Sequence, residues 1–307
     1  MLNYGEILTS KVSCPMCGNV APTLEFKISV KDYLNFSSGQ DFDYVPCKCG
    51  VFYLENQPIS SEIAKIYTQE YEAYHISEGL VAKIKKRRLQ SLVTPLMSQG
   101  RGTKILDYGC GSGEFVYSAS ELVDATVVGF DLFPPTNSNK GNVVFLDSEE
   151  SIKPLGPYQL IFAFQVIEHM PNPRLFINFL YSQLDSGGTL VIETPSSSGM
   201  LFSSLIRKYW GGWHAPRHFL IFDKKSLIGL STRAGFEVES FHFIPSPFQW
   251  IETFRALLGK NSLLNKYLHL GNFLIVASVY LIDSIAIVLR FKSSNMKIVL
   301  RKIKPEN

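Results

Sequence analysis

The chain has 307 residues, enough to bury one large hydrophobic core with a small appended module. Hydrophobic residues make up 46% and charged residues 19%, a balance that excludes a disordered chain. A net charge of +3 is too small to argue for a nucleic-acid partner, and none is expected.

The first residues, MLNYGEILTSKVSCPMC, hold no apolar run behind a basic start, so no secretory signal is expected and the cytoplasm is the expected compartment. Four of the five cysteines form two close pairs, Cys14-Pro-Met-Cys17-Gly and Cys47-Lys-Cys49-Gly. In an unsecreted chain such pairs speak for metal ligation rather than disulfides. Thiolates from Cys14, Cys17, Cys47 and Cys49 could close a tetrahedral structural zinc site with no open position, although the second pair has a gap of one residue instead of two. Residues 1–58 are therefore expected to form a zinc-ribbon-like module of short strands, in which the metal serves folding.

From about Ser60 to Met97 the pattern turns helical. The basic run from Lys83 to Arg88 reads as a solvated face. Tyr67, Tyr71, Tyr74 and His75 lie on the same segment, where they pack or form part of a lid. Apolar runs then alternate with helix-like segments: KILDYG (104–109), TVVGFD (126–131), NVVFLD (142–147), YQLIFAFQ (158–165) and GTLVIETP (188–195). Between the last two, Pro173 to Leu184 reads as an amphipathic helix stopped at Gly187-Gly188. FEVESFHFI (236–244) and NMKIVLRKI (295–303) complete the set. The expected fold of residues 59–305 is an α/β, Rossmann-like seven-stranded mostly parallel sheet with helices on both faces.

One stretch does not belong to that rhythm. GNFLIVASVYLIDSIAIVLRF (271–291) is nearly long enough to span a bilayer, and Arg290, Lys292, Lys297, Arg301 and Lys302 stand at or beyond its end. Asp283 interrupts it, and the strand that follows must return to the soluble sheet, so a single crossing is not expected. The expectation is a helical insertion at about 248–292 that packs on the protein or in a homodimer, or makes peripheral contact with the inner face of a membrane.

The first strand of the βα series runs into DYGCGSG, Asp107 to Gly113. Gly109, Gly111 and Gly113 supply a tight turn and room for a ligand close to the backbone. A dinucleotide fingerprint needs a third glycine where Glu114 stands, which argues against a nicotinamide dehydrogenase. Asp131, at the end of the next strand, is placed to accept both hydroxyls of a ribose, and Asp147 at the end of the third could face an adenine amino group.

With ILDYGCGSGEF and Asp131 in these positions, the chain resembles the class I S-adenosylmethionine-dependent methyltransferases over about residues 70–305. FAFQVIEHMPNP (162–173), GGTLVIETPSSS (187–198), WHAPRHFLIFD (213–223) and AGFEV (234–238) are similar to a branch that holds ubiquinone-biosynthesis O-methyltransferases and enzymes of sugar and surface-polysaccharide methylation. The resemblance implies that Asp107 and the three glycines hold the methionine part of the cofactor, Asp131 the ribose and Asp147 the adenine, with Gln165 lining the floor. The short link 132–142, with Pro134-Pro135, leaves little room for the helix usual there. Some sugar methyltransferases carry an amino-terminal zinc segment, to which the cysteine module bears a weaker likeness.

Methyl transfer to a hydroxyl or carbon gains from a general base, and His169, His214 and His218 are the candidate catalytic residues, all in loops expected at the carboxyl ends of strands. The quinone enzymes are understood to hold a divalent metal with acids around a Glu-His pair. Aligned on Glu168-His169, the flanking positions are here Gln165 and Asn172, and amides are poorer ligands for a hard cation. The expected reaction is thus methyl transfer to a small-molecule acceptor, a sugar before a quinone or phenol. A cofactor-binding pseudoenzyme acting in assembly is the reading from another class.

Overall fold

The computed structural model describes residues 6–19, 27–32, 39–67, 87, 89–94, 104–135, 141–203, 205–259 and 262–303. Tyr71, Tyr74, His75 and all of the basic run except Arg87 lie outside these residues.

Near the amino terminus come β1 (Thr9–Lys11), β2 (Ile28–Lys31), β3 (Asp41–Pro46), β4 (Phe52–Leu54), β5 (Asn56–Pro58) and the short helix α1 (Ile63–Ile66). The βα series follows as β6 (Lys104–Tyr108), α2 (Glu114–Ser120), β7 (Thr126–Phe130), β8 (Val143–Leu146), β9 (Tyr158–Phe164), α3 (Pro173–Gln183) and β10 (Leu184–Pro195). The remaining elements are β11 (Leu220–Ile221), α4 (Lys224–Arg233), β12 (Phe236–Ile244), α5 (Pro247–Leu258), α6 (Phe273–Val288) and β13 (Asn295–Lys302).

Seven strands form one sheet in the order β12-β13-β10-β9-β6-β7-β8. Pairing is parallel from β10 through β8, and β13 runs antiparallel to both of its neighbours. Side chains alternate between two apolar layers, as strand pleating requires. Leu106, Val128, Ile161 and Leu190 pack with Phe176 and Leu180 of α3 and Leu227 of α4. Ile105, Val127, Leu160 and Val191 pack on the other side with Val116 of α2 and with Leu89 and Val93. The sheet is covered on both faces, which explains why its strands read as nearly unbroken apolar runs.

One expectation is corrected. Helix α3 ends at Gln183 and β10 begins at Leu184, which pairs with Tyr158, so Gly187 and Gly188 lie within the strand at a register shift rather than stopping a helix. Asn172 starts α3 as expected of an N-cap, its side chain accepting from the Leu175 amide at 3.1 Å ahead of Pro173. In the link after β7, Leu132 to Pro135 adopts no helix.

The second sheet, β11-β4-β3-β2, joins the amino-terminal residues to a strand from the segment between β10 and β12. Leu220 pairs with Tyr53 and Ile221 with Phe52, and the Leu54 amide donates to the Phe219 carbonyl at 2.9 Å. The buried Tyr44 hydroxyl proton is shared between the carbonyls of Trp213 and His218, at 2.9 and 2.6 Å. One apolar cluster runs from Cys14, Met16 and Tyr53 into Leu220 and Phe222.

The insertion is α5, a turn of 3-10 helix at Leu263–Lys266, and α6. Asp283 is turned inward, 2% exposed, and accepts from the Ser246 amide and the Ser293 hydroxyl at 2.8 Å each. Those bonds satisfy a carboxylate that would be costly inside an apolar helix. Among the described residues no helix is long and apolar enough to cross a membrane.

Candidate active site

The chain leaves β6 toward β7 and β8 on one side and returns to β9 and β10 on the other, which makes the carboxyl ends of β6 and β9 the switch point where such sheets bind ligands. Gly109 takes φ +80° there, and a Cβ on it would stand 2.5 Å from Val166 Cγ2. Gly113, at φ +74°, would meet Phe145 Cζ at 2.6 Å and Pro135 Cγ at 3.2 Å. Any side chain at these two positions would therefore fill the cradle.

The half-buried Asp131 accepts from the Gly111 amide at 2.9 Å and from the Phe133 amide at 3.1 Å, one bond to each carboxylate oxygen. Asp107 is 3% exposed, and burial, then the charge of Asp131, pushes its carboxyl up to about 8. Gln165, just past β9 at φ +56°, donates from its side chain to Asn295 at 3.3 Å and from its amide to the Glu193 carbonyl at 2.8 Å. These residues and the glycines stand at the same end of three adjacent parallel strands. Asp147 follows the edge strand β8 and is exposed. The cradle, an acid at the next strand and a second acid beneath fit an adenosyl ligand bearing an ammonium group.

The turn after β9, Ile167–His169, and the loop before β11 bring all three candidate histidines together. Ring centroids are 4.7 Å apart for His169 and His218, and 4.9 Å for His214 and His218. His218 is enclosed, while His169 and His214 keep an edge at the surface. His169 Nδ1 lies 2.9 Å from the Arg217 carbonyl and 2.8 Å from the Tyr67 hydroxyl. A carbonyl can only accept, so Nδ1 carries the proton and Nε2 the lone pair. By the same rule His218 Nδ1 donates to the Gly212 carbonyl at 2.8 Å, and its Nε2 accepts from His214 Nδ1 at 3.3 Å.

Burial lowers the basicity of all three, His169 to about 4, and the charge of the fully buried Arg217 adds to the effect. Arg217 is itself fixed by donating from Nε to the Ile66 carbonyl at 2.9 Å. Glu168 lies below, 0% exposed, accepting from the Thr194 hydroxyl at 2.8 Å and facing His218 Nε2 at 3.9 Å. Burial pushes its carboxyl up to about 8 against the two hydrogen bonds that favour ionisation. Glu168, His169 and His218 lie close enough to share an ion. The buried Arg217 cation beside them adds like charge that any divalent ion there would face.

A stability test follows from Glu168. In the unfolded chain it ionises near 4.5, in the folded chain near 8. The folded state thus holds the extra proton between these values, and stability present below pH 4.5 is lost as pH rises toward 8. Glu168→Gln should melt like the parent at pH 4.5 and be more stable at pH 8.5 by on the order of 5 kcal/mol. A difference that does not change with pH between thermal melts would contradict a neutral Glu168.

The sequence alone missed Thr194, whose only signal is a hydroxyl at the carboxyl end of a central strand. It also missed Tyr44, which seats the histidine loop from 169 or more residues away.

The four cysteines also converge, with all Sγ atoms within 4.8 Å of one another. Cys17 and Cys47 are 3.3 Å apart and Cys14 and Cys49 3.7 Å, against an edge of about 3.8 Å for sulfurs around zinc at 2.3 Å. Each pair closes a knuckle: the Gly18 amide donates to the Cys14 carbonyl at 2.7 Å and the Gly50 amide to the Cys47 carbonyl at 3.0 Å. Burial pushes the Cys49 thiol up to about 12 and raises Cys14 as well, states that a bound cation would reverse. Donor set and spacing fit a structural zinc ion.

A family model described as a methyltransferase domain matches residues 81–241, more than half of the chain. The tRNA U34 carboxymethyltransferase of Actinobacillus succinogenes is 32% identical over 117 residues, 33% of this chain and 35% of that one. Its namesake from Haemophilus influenzae is 31% identical over 129 residues, 37% and 39% of the two chains. The chain thus spans a little over a third of the length of these relatives. Among solved structures, a SAM dependent methyltransferase from Archaeoglobus fulgidus is similar with a TM-score of 0.46 and 19% identity, covering 72% of this chain and 94% of that one.

Proposed function

This chain belongs to the methyltransferase-domain family and is an S-adenosylmethionine-dependent methyltransferase, and from that premise we propose that it methylates a sugar, nucleotide- or lipid-linked, in surface-polysaccharide or secondary metabolism. The observation that carries the choice of acceptor is the state of the pocket below the histidines. It holds a buried arginine, and the flanking amides Gln165 and Asn172 are engaged with Asn295 and the start of α3. A quinone enzyme assisted by a hard cation would need carboxylates there. A sugar hydroxyl needs only a lone pair.

When bound, the cofactor supplies an electrophilic methyl group on its sulfonium. Gly109, Gly111 and Gly113 let the backbone approach it, Asp131 accepts from the ribose hydroxyls, and Gln165 lines the floor. Asp107, held neutral by burial, ionises when the ammonium group is placed beside it. Asp147 is left for the adenine amino group. His169 takes the acceptor proton on Nε2, with Nδ1–H anchored on the Arg217 carbonyl. His214 and His218 are positioning residues, because the His218 lone pair is already engaged by His214. The four cysteines hold one structural zinc ion.

Label from methyl-labelled cofactor is followed into a panel of nucleotide sugars, catechols and tRNA. The expected result is a methylated sugar. His169→Ala should lower kcat on the order of 100-fold or more with cofactor affinity kept, and His218→Ala about ten-fold. A tRNA acceptor is the second reading, favoured by the two relatives named for tRNA U34, and label in tRNA would establish it instead. Label in no acceptor would favour the assembly role.

A further inference from the structure

The insertion leaves an apolar surface that neither the sheet nor the histidine loop uses. Leu263 and Leu264 on the connecting turn, and Leu274, Leu281, Val288 and Leu289 on and after α6, are all more than half exposed. Such residues scattered singly would be ordinary. Gathered on one hairpin they form a patch that a soluble monomer rarely leaves open. Helix α6 is apolar around its circumference, and its one charged residue, Asp283, is buried against Ser246 and Ser293.

Charge decides what fits this patch. Asp283 is the only acidic residue between Phe254 and Lys297. Lys266, Arg290 and Lys292 are exposed at the two ends of α6, so among the described residues every exposed charged side chain from Arg255 to Lys292 is cationic. We propose that the α5–α6 hairpin docks in the plane of an anionic lipid surface, its leucines in the acyl boundary and its three cations on lipid phosphates. A spanning role is excluded by length, because the 16 residues of α6 reach about 24 Å against a hydrocarbon core of about 30 Å, and by the two bonds that tie Asp283 to the protein body. A second copy of the chain fits less well: a two-fold contact of hairpin on hairpin would set Lys266, Arg290 and Lys292 against a hairpin whose described residues from Arg255 to Lys292 offer no exposed acid. The inference does not depend on the acceptor of the methyl group.

Flotation of the full chain with vesicles tests it. The chain should float with phosphatidylcholine vesicles that contain phosphatidylglycerol, less with pure phosphatidylcholine, and less at high salt. Leu274→Glu combined with Leu281→Glu should abolish flotation, and each of Lys266→Ser, Arg290→Ser and Lys292→Ser should weaken it about five-fold. All these positions are exposed, so melting temperature should stay near that of the parent, which separates lost docking from lost folding. Equal flotation on neutral and anionic vesicles would overturn the lipid assignment. So would a vesicle-indifferent dimer in sedimentation velocity that the leucine variant splits, or a monomer that does not float at all.

Discussion

Cys14→Ser should take bound zinc from one ion per chain to none and unfold the amino-terminal strands. The contribution of a four-thiolate site to folding is on the order of 10 kcal/mol, more than a few short strands can replace by packing. The effect should not stop at the module. Strand β11 completes the sheet of β4, β3 and β2, and Tyr44 holds the carbonyls of Trp213 and His218. Loss of these contacts frees the loop that carries His214, Arg217 and His218, so turnover should fall at least ten-fold although no cysteine lies beside the histidines. Metal content, far-ultraviolet circular dichroism and turnover of one preparation check all three effects. A variant without metal that keeps both fold and turnover would show the cysteines to be free thiols.

Gly109→Ala should damage both stability and cofactor binding through a single added methyl group. The residue sits at φ +80°, where a side chain costs about 1–2 kcal/mol, and the new Cβ would lie 2.5 Å from Val166 Cγ2. Val166 is buried, 6% exposed, and cannot swing away. The loss of stability should reach about 3 kcal/mol, with cofactor affinity reduced on the order of 100-fold. The double variant Gly109→Ala, Val166→Ala should recover part of the stability, because the clash is relieved while the backbone strain remains. Additive losses in thermal melts would show that the loop shifts away from Val166.

The seven-stranded sheet was legible because its strands are buried on both faces and read as continuous apolar runs between glycines and helices. The limits of β10 were not, since the pairing of Leu184 with Tyr158 depends on a partner 26 residues away rather than on local pattern. Strand β11 has two residues and no periodicity, and its partner lies in the first sixty residues. The glycine loop and Asp131 could be read from spacing, and the histidines from residue type. Their protonation could not, because it comes from burial and from the charges of Arg217 and the neighbouring histidines, which meet only in three dimensions. Asp283 could be read as an obstacle to membrane crossing. That it anchors the helix through Ser246 and Ser293 depends on loops ten or more residues distant.

Calorimetric titration of S-adenosylmethionine into the full chain and its Asp131→Ala variant tests the cofactor site most directly. The parent should bind one molecule per chain. The variant loses the ribose contacts and the bonds to the Gly111 and Phe133 amides, and should bind on the order of 100-fold more weakly. Equal affinity in the two proteins would contradict the site.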